Sequence, residues 1–331
     1  LLKSLPTAFK TLHLEKPEST KFVFEVLQQY ISNCKNTTEI TQPLTSFLIE
    51  ALELRTLHSK KSGDKLDELE LSVLDCCVKF SLKLPENKFR ALLSQLADWA
   101  QNPLKNNTGE TERLITYLNL TLRWTEQLKS LFSLFAGQYT DVITQVLNGT
   151  NEAHTDKNDL LFGNKKKSSA KRNTLLCSLL SCLQRFCLYD SQKQFLTQER
   201  FETILEPLIE QIDNCSLANF ETRIEEYLIP CLVTLATSMG DDAALKTVNY
   251  KILLKTRSDE ESVRLASLKC LQKLYEKFGQ ETVTLLPDTM PFLKELLEDG
   301  NEYVEEECQN TVTLLENMLG DSVEQFMSAD Q

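Results

Sequence analysis

Ser258-Asp259-Glu260-Glu261-Ser262-Val263-Arg264-Leu265-Ala266 and, further along, Asp299-Gly300-Asn301-Glu302-Tyr303-Val304 are two versions of one turn, and the fold is read from them. In each, an acidic polar turn ends an apolar-periodic run, and a valine restarts the helix. Val263 and Val304 lie about 41 residues apart, as do Gly279 and Gly320, which follow the two restarted helices. That interval is the period of HEAT and armadillo helix pairs. Between Glu261 and Phe278, the residues Val263, Leu268, Leu271, Leu274 and Phe278 recur at near-helical spacing and form one apolar stripe. Glycine after each helix supplies a left-handed cap, and acidic residues before each second helix favour its positive end, where an Asp accepts from free N–H groups.

A single helical hairpin of this size cannot cover its own apolar stripe, so neighbouring hairpins must stack. The period continues upstream: Pro207-Leu208-Ile209 precedes Pro291-Phe292-Leu293 by about 84 residues, two units, and Met239-Gly240 corresponds to Phe278-Gly279. The fold class expected is therefore all-α, an α-solenoid of HEAT/armadillo-like helical hairpins.

The composition agrees. Of 331 residues 41% are hydrophobic and 25% charged, with only 9 glycines and 9 prolines to punctuate them, and alternating β-branched runs are scarce. No apolar run reaches membrane-spanning length. The chain starts at Leu1 with no charged-then-apolar leader, the expectation for a fragment of a longer protein. Ten cysteines at irregular spacing, many inside amphipathic runs, fit a reducing compartment better than a disulfide framework. The net charge of −12 is carried wholly by the segment from Gly279 onward, which has thirteen acidic residues against Lys294 alone. Such an end repels phosphate backbones and suits a basic protein partner.

Taken in order, residues 1–84 read as N-terminal helical hairpins, with a short frayed helix before Lys16 and a turn-rich break at Ser59–Gly63. Residues 85–148 form a distinctive helical region, including a long helix from Glu110 to about Phe135 and another from Gln138 to Leu147. Residues 149–173 carry no amphipathic stripe and read as a basic flexible loop. Residues 174–331 are C-terminal HEAT-like repeats with an acidic end, in which Pro207 and Pro230 are expected to bend their helices.

Several separate motifs resemble one family. Phe89-Arg90 followed by Leu96-Ala97-Asp98-Trp99-Ala100 is similar to an FR…LVDWA block, with Ala97 in place of Val. Gln127-Leu128-Lys129-Ser130-Leu131-Phe132 is similar to KLKSLF, and Leu286-Pro287-Asp288-Thr289-Met290-Pro291-Phe292-Leu293 to LLPETIPFL. Together with Ile229–Val233 and Leu253–Arg257, they resemble the C-terminal region of the HEAT-repeat U3 small nucleolar RNA-associated protein 10 family, over roughly residues 84–320. The resemblance implies a scaffold of the small-subunit processome in the UtpA (t-UTP) subcomplex. That scaffold would be nuclear and nucleolar, with other UtpA proteins and pre-ribosomal RNA or the U3 snoRNP as partners. It further implies a role in 18S ribosomal RNA maturation and ribosomal DNA transcription, with no cofactor, membrane or small-molecule substrate. Phe89, Arg90, Asp98, Trp99, Arg264, Pro287 and Pro291 are then structural motif residues.

Read from the residues themselves, Lys165, Lys166, Lys167, Lys171 and Arg172 form the only dense basic cluster. It is open to three readings: a solvated loop, an import-receptor signal, or contact with pre-ribosomal RNA. No aromatics are interleaved for base stacking. Glu302, Glu305 and Glu306 on the last helix are candidates to face a basic partner or solvent. Trp99 fits a hairpin core better than an exposed anchor, and Arg264 is placed to pair with Asp259 or a neighbouring turn. Cys177, Cys182 and Cys187 step by five around a helix and cannot share a metal, and His13, His58 and His154 are far apart. No phosphate-cradling loop, nucleophile elbow or metal-binding helix motif is present, so an enzyme ranks behind a scaffold, a direct pre-ribosomal RNA-binding module and a generic HEAT adaptor.

Overall fold

The computed structural model describes residues 9, 17–34, 38–58, 64–105, 111–153, 165–320 and 322–323. The frayed helix expected before Lys16 and the break at 59–63 lie outside those residues. The chain divides into two compact units, Leu1–Phe135 and Ala136–Gln331. Both are built of helical hairpins, and the fold class is the all-α solenoid that the 41-residue period predicts.

In the first unit, α1 (Pro17–Asn33), α3 (Asp64–Ser81) and α5 (Glu112–Leu128) lie side by side, with α2 (Thr38–Leu52) packed on α3 and α4 (Glu86–Lys105) on α5. Pro85 sits just before α4, where its missing N–H is one the helix would leave unbonded anyway. The core joins Phe24, Leu27 and Ile31 of α1 to Phe47 and Leu48 of α2 and to Val73, Cys76 and Phe80 of α3. At its far end Trp124, fully buried, meets the Phe89 ring edge-on at 5.4 Å and donates its indole N–H to Ser81 Oγ at 2.7 Å. The long helix expected from Glu110 to Phe135 stops instead at Leu128. Lys129 takes φ 48°, and a 3₁₀ turn over Lys129–Phe132 turns Phe132 into the core.

The second unit has two layers of four helices. One holds α6 (Thr140–Thr150), α8 (Gln198–Ile209), α10 (Asp242–Lys255) and α12 (Leu286–Leu296). The other holds α7 (Lys165–Leu188), α9 (Ile229–Met239), α11 (Glu261–Phe278) and α13 (Glu302–Leu319). Each hairpin pairs one helix from each layer, and helices within a layer pack on their neighbours. Gly240 and Gly320 take the left-handed conformation after α9 and α13, as expected, whereas Gly279 after α11 has positive φ but ψ −125°, outside the left-handed region. The N-terminal caps are more varied than the acidic turns imply. Asn301 accepts from the Tyr303 and Val304 N–H groups at 3.0 and 3.3 Å, whereas Glu260 before α11 makes no side-chain cap.

One expectation is corrected. The loop placed over 149–173 is helical at both ends: α6 runs to Thr150, and α7 already begins at Lys165. Pro230 does mark an irregularity, of a specific kind. In a regular α-helix it would offer no N–H to the Glu226 carbonyl and its ring would crowd that carbonyl; instead a π turn over Ile224–Leu228 lies just before it, linking α9 to the short helix Phe220–Arg223. Past Pro207, α8 gives way at Glu210 to a 3₁₀ turn.

Candidate interaction surfaces

The motif residues of the first unit face inward or brace it. Phe89 is buried between Trp124 and Phe135, and the Arg90 guanidinium lies 4.8 Å over the Phe135 ring while pairing with Glu86 at 3.1 Å. Trp99 is half-buried and donates its indole N–H to Glu53 Oε1 at 2.8 Å. Arg113 grips the same carboxylate at 2.6 Å and lies 5.6 Å over the Trp99 ring. Asp98 is exposed on α4. A second buried network was invisible to periodicity: Glu70, 4% exposed on α3, takes Arg55 Nε at 2.8 Å and the Thr116 hydroxyl at 2.6 Å. The hydrogen bond to Glu70 holds the Arg55 pKa above the ordinary arginine value against the effect of burial.

In the second unit, three arginines play one part. Arg264, near the start of α11, donates through Nη1 to the Ser258 and Asp259 carbonyls at 3.0 and 3.1 Å, and through Nη2 to Asp299 of the following turn at 2.9 Å. Both alternatives read from the sequence, its own turn and the next, are thus met at once. Arg223, about 41 residues earlier, is 1% exposed and donates to the Asn214 and Ala218 carbonyls at 2.6 and 2.7 Å and to Asn173 Oδ1 at 2.8 Å. Burial lowers its pKa to about 10. Arg172 is the third. It is fully buried, ion-paired to Glu152 after α6, and Glu152 also accepts from Ser216 Oγ at 3.1 Å. Arg172 therefore leaves the basic cluster, because its charge is spent inside the unit. Lys165, Lys166, Lys167 and Lys171 stand in the first two turns of α7, Lys171 exposed.

Pro287 enters α12 in its first turn, where a missing N–H costs nothing, and Pro291 lies exposed within the same helix. Glu302, Glu305 and Glu306 share one exposed stripe of α13, opposite its buried Val304, Cys308, Thr311, Val312 and Leu315. Behind α11, Tyr275 donates to Asn249 Oδ1 at 2.9 Å and lies 3.2 Å from Thr289 Oγ1, a buried knot tying α11 to α10 and α12. A furrow of about 510 Å³ runs along the layer of second helices, between α9, α11 and α13.

All ten cysteines are free thiols, and burial pushes Cys76, Cys270 and Cys308 up to about 12 and Cys177 to about 11. Among the described residues no three metal-ligating side chains converge, and no helix is long and apolar enough to cross a membrane.

Comparison with known proteins extends these observations. The family model of the BP28CT (NUC211) domain matches residues 36–195. HEAT repeat-containing protein 1 of Homo sapiens is 34% identical over 330 residues, 98% of this chain and 15% of that protein. The Danio rerio protein of the same name is 36% identical over 296 residues, 86% of this chain and 13% of that protein. U3 small nucleolar RNA-associated protein 10 of Scheffersomyces stipitis is 27% identical over 294 residues, 85% of this chain and 15% of that protein. The chain thus spans about 15% of the length of the human relative.

Proposed function

Since the chain belongs to the family of HEAT repeat-containing protein 1 and U3 small nucleolar RNA-associated protein 10, we propose that it is a non-catalytic scaffold segment of a nucleolar ribosome-biogenesis factor. In this reading it supports assembly of the small-subunit processome, 18S ribosomal RNA maturation and ribosomal DNA transcription. It does so through contacts with UtpA subcomplex proteins and, through them, the U3 snoRNP. The observation that carries it is similarity running over 98% of the chain, through every hairpin rather than at one local motif. The mechanism is geometric. The buried arginines spend their hydrogen bonds on joining turns to one another, and the Tyr275 knot joins both layers, so the helices present fixed outer surfaces on which partner segments are placed.

The test is affinity purification of the full-length parent protein from cells, with and without this segment. Processome proteins and U3 RNA should come down with the intact protein and be depleted when the segment is deleted. If neither comes down with the intact protein, the assignment fails. The rival reading, direct contact of Lys165, Lys166, Lys167 and Lys171 with pre-ribosomal RNA, is favoured by their clustering in the first two turns of one helix. Phosphate contacts release counterions, so binding by that route weakens steeply with salt and falls further when Lys165–Lys167 are changed to Gln. The scaffold reading predicts no such salt-sensitive binding by the chain alone.

A further inference from the structure

The furrow on the second-helix layer of the second unit has a floor and a rim of different chemistry. Ile229, Pro230 and Val233 of α9 supply apolar floor on one side, and the stems of Lys269 and Lys273 on α11 flank it on the other. Beyond the ion pair between Lys269 and Glu225 the same furrow continues, with Ile224 and Leu265 as floor and Glu221 and Glu261 at the rim. Apolar walls open to water are a standing cost that an apolar side chain would relieve.

Charge decides what kind of chain can bring that side chain. Lys269 is hydrogen-bonded to Glu225 and also lies in the field of Glu307 and Glu221, and these carboxylates hold its pKa above the ordinary lysine value. Lys269 thus faces three carboxylates at the centre of the furrow and Glu261 adds a fourth near its end, while Lys273, the furrow's other ammonium, is already paired with Glu276 at 2.6 Å. Gln272, which could otherwise turn inward, is fixed across the α11–α13 seam by bonds to Glu307 Oε1 at 2.9 Å and Thr311 Oγ1 at 3.0 Å. The unanswered charge is negative. Phosphate backbones are repelled, and an occupant must carry cations beside its apolar groups.

We propose that this furrow is the docking site for a short extended segment of a protein partner in which Lys or Arg alternates with apolar residues. Its apolar side chains lie on Ile229, Pro230 and Val233, and its cations sit against Glu221, Glu225 and Glu307. From Glu221 to Val233 the helix rises roughly 18 Å, which an extended chain covers in about six residues. Alternation follows from the pleat of an extended strand, which turns successive side chains to opposite sides. The site stands on the furrow alone and holds whichever assembly the chain serves.

The probe is a fluorescein-labelled heptapeptide, Lys-Leu-Lys-Leu-Lys-Leu-Lys, titrated by fluorescence polarisation into the full 331-residue chain. Its Lys-Ser and Glu-Leu counterparts and a ten-nucleotide oligouridylate serve as comparison ligands. The Lys-Leu peptide should bind at least about tenfold more tightly than the Lys-Ser peptide, and the Glu-Leu peptide and the oligouridylate should not bind or compete. Val233→Lys, which closes the floor, and the pair Glu221→Gln with Glu307→Gln, which leaves the fold's apolar contacts intact, should each weaken binding about tenfold. Glu302→Gln with Glu306→Gln, away from the furrow but equal in charge, should leave it unchanged. Equal affinity for Lys-Leu and Lys-Ser peptides, competition by the oligouridylate, or equal losses from the two carboxamide pairs would overturn the proposal. Should Val233→Lys fail to fold, as judged by circular dichroism, the two carboxamide pairs decide alone.

Discussion

Replacing Arg172 by alanine should destabilise the second unit by about 3–5 kcal/mol, although the residue sits in the most lysine-rich run of the chain. The magnitude follows from its surroundings. The side chain is fully buried and its partner Glu152 is itself 6% exposed at the side chain, so the substitution takes the guanidinium from a carboxylate held inside the unit, which keeps the Ser216 hydroxyl at 3.1 Å. A buried charge stripped of its ion-pair partner costs far more than the net worth of the pair that held it. The matched change Arg172→Met with Glu152→Gln removes both charges at similar volume and should recover most of the loss. Urea unfolding followed by far-ultraviolet circular dichroism measures this directly. With a slope of about 2–3 kcal/mol per molar urea for a unit of this size, the Arg172→Ala midpoint should fall by about 1–2 M. A midpoint within about 0.3 M of the unaltered chain, with unchanged slope, would show that the guanidinium is not a strut. A loss of RNA binding at unchanged midpoint would return Arg172 to the basic surface.

Three other outcomes are expected. Tyr275→Phe should cost about 1–3 kcal/mol, because it leaves Asn249 Oδ1 buried without the hydroxyl that donates to it at 2.9 Å; thermal unfolding reads this, and a change below about 0.5 kcal/mol contradicts the knot. Gly279→Asn should cost more than Gly240→Asn. Gly240 lies at φ 65°, ψ 33°, where asparagine is tolerated, and Gly279 at φ 55°, ψ −125°, which it is not; equal midpoints for the two variants would contradict this. Stability should fall as pH rises from about 9 towards 12. The unfolded chain releases thiol protons near 9.0 that folded Cys76, Cys270 and Cys308 keep until about 12, so unfolding is increasingly favoured across that window; urea midpoints that stay flat from pH 8 to 10.5 would argue against buried thiols.

The repeat period was legible because it is written in residues with local consequences. A glycine that must take positive φ announces a helix end wherever it stands, and Gly240, Gly279 and Gly320 did so. Arg264 was legible for the same reason, placed one residue after a restart valine. Arg223 carries the same 41-residue spacing but follows Phe220-Glu221-Thr222 rather than a valine, and its role surfaces only through the carbonyls it meets. Arg172 was misread because charge density along a sequence says nothing about which member of the run faces inward. Four lysines in its neighbourhood made the helix look like a solvated loop, while its partner Glu152 lay 20 residues back, across a stretch with no period. Trp124 was passed over for Trp99 since the latter sits in the recognisable motif, yet Trp124 is the fully buried one.

The furrow depends on a feature that no periodicity reports. In a regular α-helix the Glu226 carbonyl would find no donor at Pro230 and would meet its ring, whereas the wider i→i−5 spacing of a π turn, as from the Ile229 N–H to the Ile224 carbonyl, accommodates the proline. Arg223 holds the chain just before that turn. Its bonds to Asn214, Ala218 and Asn173 are charge-assisted, each worth about 1.5–3 kcal/mol. The extra residue is therefore taken up as a π turn between two fixed points, and Glu225 and Ile224 are delivered to the α11 side, where Lys269 meets one and the floor of the furrow includes the other. The α11–α13 seam has no such insertion and is closed by Gln272 across to Glu307 and Thr311. A buried arginine that touches no occupant and a proline that is part of the floor thus set where in the layer the proposed partner would enter.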